Sequence, residues 1–211
     1  MTADRQYERD LVVLVPDSTF RSVVSTLLSR RHSLGIRRVS YDVYSHPYHD
    51  PGCARQSGRF LSPFLPTHSK AIVLFDRDGS GLEPAEAPEI ERIVQNQLDR
   101  SGWADRSMPV VVDPELEVWG WSDSPQVDRC LGWGERRPAI RAWLRARGLW
   151  EPLQPKPTDP KAAMKLILRE TRGGALPPVL TELARTVGLR RCVDPAFQRF
   201  SGVLREWFAD G

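Results

Sequence analysis

Two short apolar runs, Leu11-Val-Val-Leu-Val15 and Ala71-Ile-Val-Leu-Phe75, are each closed by carboxylates: Asp17 after the first, and Asp76 and Asp78 after the second in the segment FDRDGSG. Short runs of β-branched and aromatic residues bounded by turn formers read as parallel strands buried on both faces. Ligands of open α/β sheets bind beyond the carboxyl ends of such strands, so acids placed there face a common crevice where a divalent metal would sit.

The intervening chain alternates strand and helix. After Asp17 or Ser18, either of which would cap a helix, Phe20, Val23, Val24, Leu27 and Leu28 fall on one helical face. Val39, Tyr41 and Val43 alternate with polar residues as a second strand, and a helix over Ala54 to Leu65 leads into the strand at 71–75. Another helix runs from about Ala87 to Asp99, and Pro109-Val-Val-Val112 forms a fourth strand. This βαβαβαβ order predicts an α/β fold: a Rossmann-like parallel sheet of about four strands, flanked by helices. With a 2-1-3-4 strand order, the first and third strands are neighbours and Asp17 approaches Asp76.

Beyond Trp119 the pattern changes. Ile140, Trp143 and Leu144 mark a helix within a connecting region, 126–150, that follows the α/β domain at 1–125. The segment EPLQPKPTDP, 151–160, holds four prolines in ten positions and reads as a semi-rigid connector. Helices over Lys161 to Arg172, Pro177 to Val187 and Pro195 to Phe208 make a C-terminal helical unit at 161–211, packed on the sheet. Asp194-Pro195 supplies a cap and a first-turn proline for the last of them.

Charge is distributed unevenly. Residues 1–128 hold 14 basic and 19 acidic side chains, and 129–211 hold 16 and 8, so the acidic part carries the crevice and the basic part presents a face suited to phosphates. Scattered solvated arginine is the plainer account of the same numbers, since only four of the thirty basic residues are Lys. No apolar stretch is long enough to cross a bilayer, and the N-terminal MTADRQYERD is polar, so the expectation is a cytoplasmic protein without membrane contact. Cys53, Cys130 and Cys192 form no CxxC pair and indicate neither a disulfide framework nor a zinc ribbon.

The chemistry rests on acids. Mg²⁺ takes oxygen ligands and keeps several waters, so one to three carboxylates suffice when a phosphate supplies the rest. Asp76 and Asp78, two apart at a strand end, project to one side, and Gly79 and Gly81 permit a tight turn that leaves backbone N–H groups near the site. Asp113, Glu115 and Glu117 in VVDPELEVW follow the fourth strand and would complete a two-metal arrangement. Each group has a structural role open to it as well: Asp17 as a helix cap, DxDG as a solvated turn, the glutamates as partners of Arg or of a helix end. His46, His49 and Asp50 in SHPYHDPGC lie at the same end of the sheet, as substrate contacts, as proton-transfer groups or as hydrogen-bonded loop residues. Tryptophans 119, 121, 133, 143 and 150 read as packing between sheet and helical unit, with base stacking as the alternative. There is no GxxxxGK[ST] and no GxGxxG after the first strand, which argues against a glycine-loop nucleotide site. A phosphoacceptor receiver would need a second acid near Asp17 and a later Lys, and the first loop has Asp17 alone.

An acid after the first strand, DxD after the third and the βαβαβαβ order together resemble the Toprim domain, the metal-binding fold shared by topoisomerases, primases and nucleases of the overcoming-lysogenization-defect family. The patterns VVLVPDS, SLGIR, HPYHDPGC, VLFDRDGSG, VVDPELEVWGWSDSP and CVDPAFQRF extend the resemblance over most of the chain to the small Toprim-related component of bacterial methylation-associated phage-defence systems. The resemblance implies Mg²⁺ or Mn²⁺ on Asp17, Asp76, Asp78 and Glu115, with Asp17 and Glu117 in catalytic roles. Asp17 stands where the fold usually carries glutamate and is one methylene shorter. It further implies DNA and other defence subunits as partners, either for a nuclease-like module or for a non-catalytic adaptor within a complex.

Overall fold

The two apolar runs become the central strands of the sheet. The protein is described by a computed structural model over residues 7–189 and 192–210; most of the polar N-terminal segment lies outside these. Among the described residues, β1 (Arg9–Val15), β2 (Tyr41–Ser45), β3 (His68–Asp76) and β4 (Ser107–Val112) form one all-parallel sheet in the order β2-β1-β3-β4. This is the α/β architecture that the sequence alternation predicts, and the order is the one that makes the first and third strands neighbours. In register, Val15 lies opposite Ser45 and Asp76 opposite Val112, so the carboxyl ends of the four strands form one rim.

Residues two apart in a strand share a face, and the core divides accordingly. Leu11, Val13, Val15, Ile72, Leu74, Val110 and Val112 face one side, and Val12, Leu14, Ala71, Val73, Phe75 and Val111 the other. The second side is covered by α3 (His49–Leu61) and α4 (Ala87–Leu98), through Cys53, Ala54, Leu61, Ile90, Val94 and Leu98. The first is covered by α1 (Ser18–Ser29), beside the short α2 (Arg31–Leu34), and by the helices that follow β4. These are α5 (Glu117–Gly120), α6 (Pro125–Cys130), α7 (Ile140–Arg145), α8 (Pro160–Thr171), α9 (Leu176–Thr186) and α10 (Pro195–Trp207).

The helices after β4 share the hydrophobic core of the sheet. Leu180 and Leu183 of α9 and Phe197, Phe200 and Leu204 of α10 join Val23, Val24 and Leu27 of α1 in one continuous apolar cluster. Arg30, just past α1, donates to the Ala184 carbonyl at 2.6 Å and to the Val187 carbonyl at 2.9 Å, satisfying acceptors left free where α9 ends. The proline-rich connector is fastened too: Lys156 donates to the Val118 carbonyl at 2.8 Å, and Trp121 Nε1 to the Pro160 carbonyl at 3.0 Å. Asp194 caps α10 by accepting from the Phe197 N–H, and the same oxygen accepts from Trp119 Nε1.

One departure from the sequence reading affects the rim. The segment His49 to Cys53 is the first turn of α3, not a loop ahead of a helix starting at Ala54. Proline is accepted in a first turn because its missing N–H has no partner there, so Pro51 does not interrupt the helix. At Gly52 any Cβ would overlap the His46 imidazole. On α4, Glu91 is buried. Its Oε1 accepts the Val111 N–H of β4 at 3.1 Å while Oε2 pairs with Arg199 of α10 at 2.9 Å.

Because α9 is part of the central core, Leu183→Ala should lower the unfolding free energy by about 2–5 kcal/mol. Urea denaturation followed by tryptophan fluorescence and by far-ultraviolet circular dichroism should give coincident single transitions. An earlier separate step assignable to the C-terminal helices would contradict the shared core.

Candidate functional site

Asp76 is the last residue of β3, and two of its polar atoms face different fates. Its N–H donates to Asp50 Oδ1 at 2.9 Å, tying the strand end to the first turn of α3. Its carboxylate Oδ1 is sealed from solvent and has no hydrogen-bond partner. A buried carboxylate oxygen without a protein partner is costly unless a proton, a water or a bound ion answers it.

The neighbours are mostly acids. Burial raises the Asp76 pKa well above the usual carboxylate range, the charges of Asp50, Glu117 and Glu115 push it further, and Lys161 opposes them. Asp50 is raised for the same first reason, burial, with the Asp76 N–H counteracting and the Asp17 charge adding to the rise. Glu117, which opens α5, is buried and also raised by desolvation, relieved in part by Lys161. Lys161, near the start of α8, reaches Glu115 Oε2 at 2.6 Å and Glu117 Oε1 at 3.8 Å. Burial works against its charge, but the Glu115 hydrogen bond and the Glu117, Glu115 and Asp76 charges outweigh it and raise its pKa.

Asp17 sits at the edge of this group and serves α1. Its Oδ1 accepts from the Thr19 N–H at 2.8 Å and the Phe20 N–H at 2.9 Å, the capping role, while its charge is felt at Asp50 and Cys53. Asp78 is exposed and does not share the enclosed setting of Asp76. The reason lies in the backbone: β3 ends at Asp76, so strand alternation no longer governs the next residues, and Gly79 and Gly81 turn the chain at φ 84° and 75°. The N–H groups of Gly79 and Gly81 are taken by Glu83, whose Oε1 accepts both, at 2.9 and 3.1 Å. Arg77 pins the same turn through the Ala85 and Glu83 carbonyls and through Asp113. Asp113 therefore belongs to this brace, and Glu115 and Glu117 alone of the second acidic group reach the surroundings of Asp76.

The two histidines of SHPYHDPGC separate from their aspartate. His46 is buried, accepts the Tyr48 N–H on Nδ1 at 3.0 Å and packs against Phe60; burial and then the charge of His49 lower its pKa. His49 is exposed. Only Asp50 turns into the acid group. Beneath it lies Cys53, a free thiol whose pKa is driven well up by burial and by Asp50 and Asp17.

The tryptophans are buried packing groups: Trp119 against Phe197 and Phe200, Trp121 against Trp150, and Trp133 against Trp143. Arginines rather than bases cover their outer faces, with Arg147 3.7 Å from the Trp143 ring centroid and Arg141 5.0 Å from that of Trp150.

Lys161 and Glu83 escape a reading by motif, because one acts across 46 residues from Glu115 and the other is a loop acid that does not directly follow a strand. The one signal for Lys161 is its type: a lysine at the helix start of a chain that otherwise relies on arginine. Among the described residues, no three His, Cys, Asp or Glu side chains are already drawn into a ligand shell. The orphaned Asp76 Oδ1 and the carboxylates around it nevertheless suit a hard cation that keeps most of its water, as Mg²⁺ does with one or two protein oxygens. No helix among the described residues is long and apolar enough to cross a membrane. A scan of protein-family models, a search of curated proteins and a search of solved structures each return no match to the chain.

The raised pKa of Asp76 carries a stability consequence. Its ionised form is disfavoured by folding, so the stabilising contribution of the neutral acid is complete below about pH 4, the unfolded value, and is lost as pH rises through the folded one. Asp76→Asn should therefore raise the melting temperature at pH 7–8, and the gain should shrink toward zero as the pH approaches 4. A variant no more stable than wild type at pH 8 in thermal melts would contradict this.

Proposed function

We propose that this protein is a Toprim-like module that acts on DNA phosphodiesters with Mg²⁺ or Mn²⁺, as part of a bacterial antiphage system. One observation carries the reading: a partnerless, enclosed carboxylate oxygen on Asp76 among Asp50, Glu115 and Glu117, at the carboxyl rim of a doubly wound parallel sheet. The association with antiphage defence rests on the sequence resemblance alone.

When bound, a divalent cation would polarise a phosphodiester oxygen and neutralise charge on the leaving oxygen. Asp76 presents the oxygen free to hold it, with Asp50 and Glu115 next in reach. Asp50 also holds the strand end in position through the Asp76 N–H. Asp17 keeps one oxygen beyond its capping bonds, and it and Glu117 would orient the attacking water. Asp78, exposed at the turn, would join through water as substrate enters. The arginine-rich surface at Arg141 and Arg147, whose guanidinium groups lie over the Trp150 and Trp143 rings, suits a polyanion.

A second reading is favoured by Lys161 and Glu83. An ammonium already answers two of the acids, and a carboxylate already fills the amide nest, as in a sheet that serves assembly without chemistry. On that reading the protein is a non-catalytic adaptor that binds other defence subunits or DNA.

Nicking of supercoiled plasmid in millimolar Mg²⁺ or Mn²⁺ separates the two. The nuclease reading expects activity that falls by at least about 100-fold when Asp76→Ala and Asp78→Ala are combined. Equal cleavage by both proteins would assign any activity to a contaminant. Thermal unfolding supplies the complementary measurement, since a cation at 100 times its dissociation constant stabilises by about 2.7 kcal/mol. Absence of any shift at millimolar metal would leave the adaptor.

A further inference from the structure

Lys161 is held against two of the rim acids. Pro160 is buried at the start of α8, and its carbonyl accepts from Trp121 Nε1 at 3.0 Å. The helix is capped by Asp159, which accepts the Ala162 N–H at 2.8 Å. The backbone on both sides of Lys161 is thus anchored, and its ammonium is delivered to Glu115 Oε2 at 2.6 Å and Glu117 Oε1 at 3.8 Å, within electrostatic reach of Asp76. The side chain is 38 % exposed, so the flexible stem has a route to water.

The other oxygens of the group are engaged locally. Asp17 Oδ1 caps α1 and Asp50 Oδ1 receives the Asp76 N–H, whereas Asp76 Oδ1 has no partner. One ammonium among Asp76, Glu115 and Glu117 leaves carboxylates in excess of cations, and it donates no hydrogen bond to the oxygen that most lacks one. We propose that Lys161 is the resident counter-ion of this site: it competes with a divalent cation for Glu115 and Glu117, sets the affinity of the site for metal, and swings toward solvent when metal binds. A lysine suits this role where arginine would not, because its charge is compact and its stem carries no rigid fork that would lock onto the carboxylates. The inference rests on the reading of the acids as a cation site.

The test is Mn²⁺ binding by isothermal titration calorimetry to the full chain as wild type, Lys161→Met and Asp76→Asn. Methionine keeps most of the apolar stem and removes the charge. Lys161→Met should bind Mn²⁺ at least about ten-fold more tightly than wild type, in the range of ordinary coupling between sites, and Asp76→Asn more weakly than wild type. Binding by Lys161→Met alone would also support the competition, while assigning the wild-type protein to the adaptor. Equal or weaker binding by Lys161→Met, with wild type still binding, would overturn the role of Lys161 and leave the metal reading intact. No binding by any of the three would overturn both. A second measurement needs no variant: amine acylation followed by mass spectrometry should show Lys161 becoming more reactive on saturation with Mg²⁺ while Lys70 stays unchanged. Unaltered Lys161 reactivity in protein that has bound metal would refute its displacement.

Discussion

A strand covered by helices on both faces offers side chains a way to water only at its ends, and β1 and β3 are two such strands side by side. Their ten apolar residues at 11–15 and 71–75 are fully buried. Polar groups are therefore displaced to the rim, and because the sheet is parallel they gather at one edge of it. Asp76 lies at this boundary, its N–H satisfied by a neighbouring helix and its carboxylate shielded from water among other acids. The position of every other acid in the group, from α3, from the turn after β4 and from α5, is read against that one residue.

The C-terminal helices make the rim what it is. They bury the opposite face of the sheet with α9 and α10, and in doing so bring α8 to where Lys161 meets Glu115 and Glu117. Packing and electrostatics are here one arrangement: the Trp121 bond to the Pro160 carbonyl that fastens the connector also fixes the origin of the ammonium. A chain ending before α8 would leave the acids without it.

Much of this was legible in the residues and some was not, for physical reasons. The strands follow from apolar runs with turn residues between them, a signal that is local and strong, whereas their order is a tertiary property that the runs leave open. Asp76, Glu115 and Glu117 were found because they follow such runs directly. Asp50 is legible only as a loop residue, since Pro51 and Gly52 suggest a turn when nothing in the sequence shows that Gly52 makes room for the His46 ring. The pairing of Asp78 with Asp76 assumed that strand alternation continues past the strand, and the chain turns there instead. Lys161 and Glu83 lay beyond sequence reasoning because their partners are set by tertiary packing and by a turn closing on itself.

Glu91 bears on a different property. By accepting the Val111 N–H, and by pairing with an arginine of α10, it seals part of the outer margin of β4 with a side chain. A foreign strand seeking to lengthen the sheet on that flank would meet a carboxylate already bonded to its template and a helix in its path. Strand addition on the β4 flank is thereby opposed by a side chain rather than by another strand.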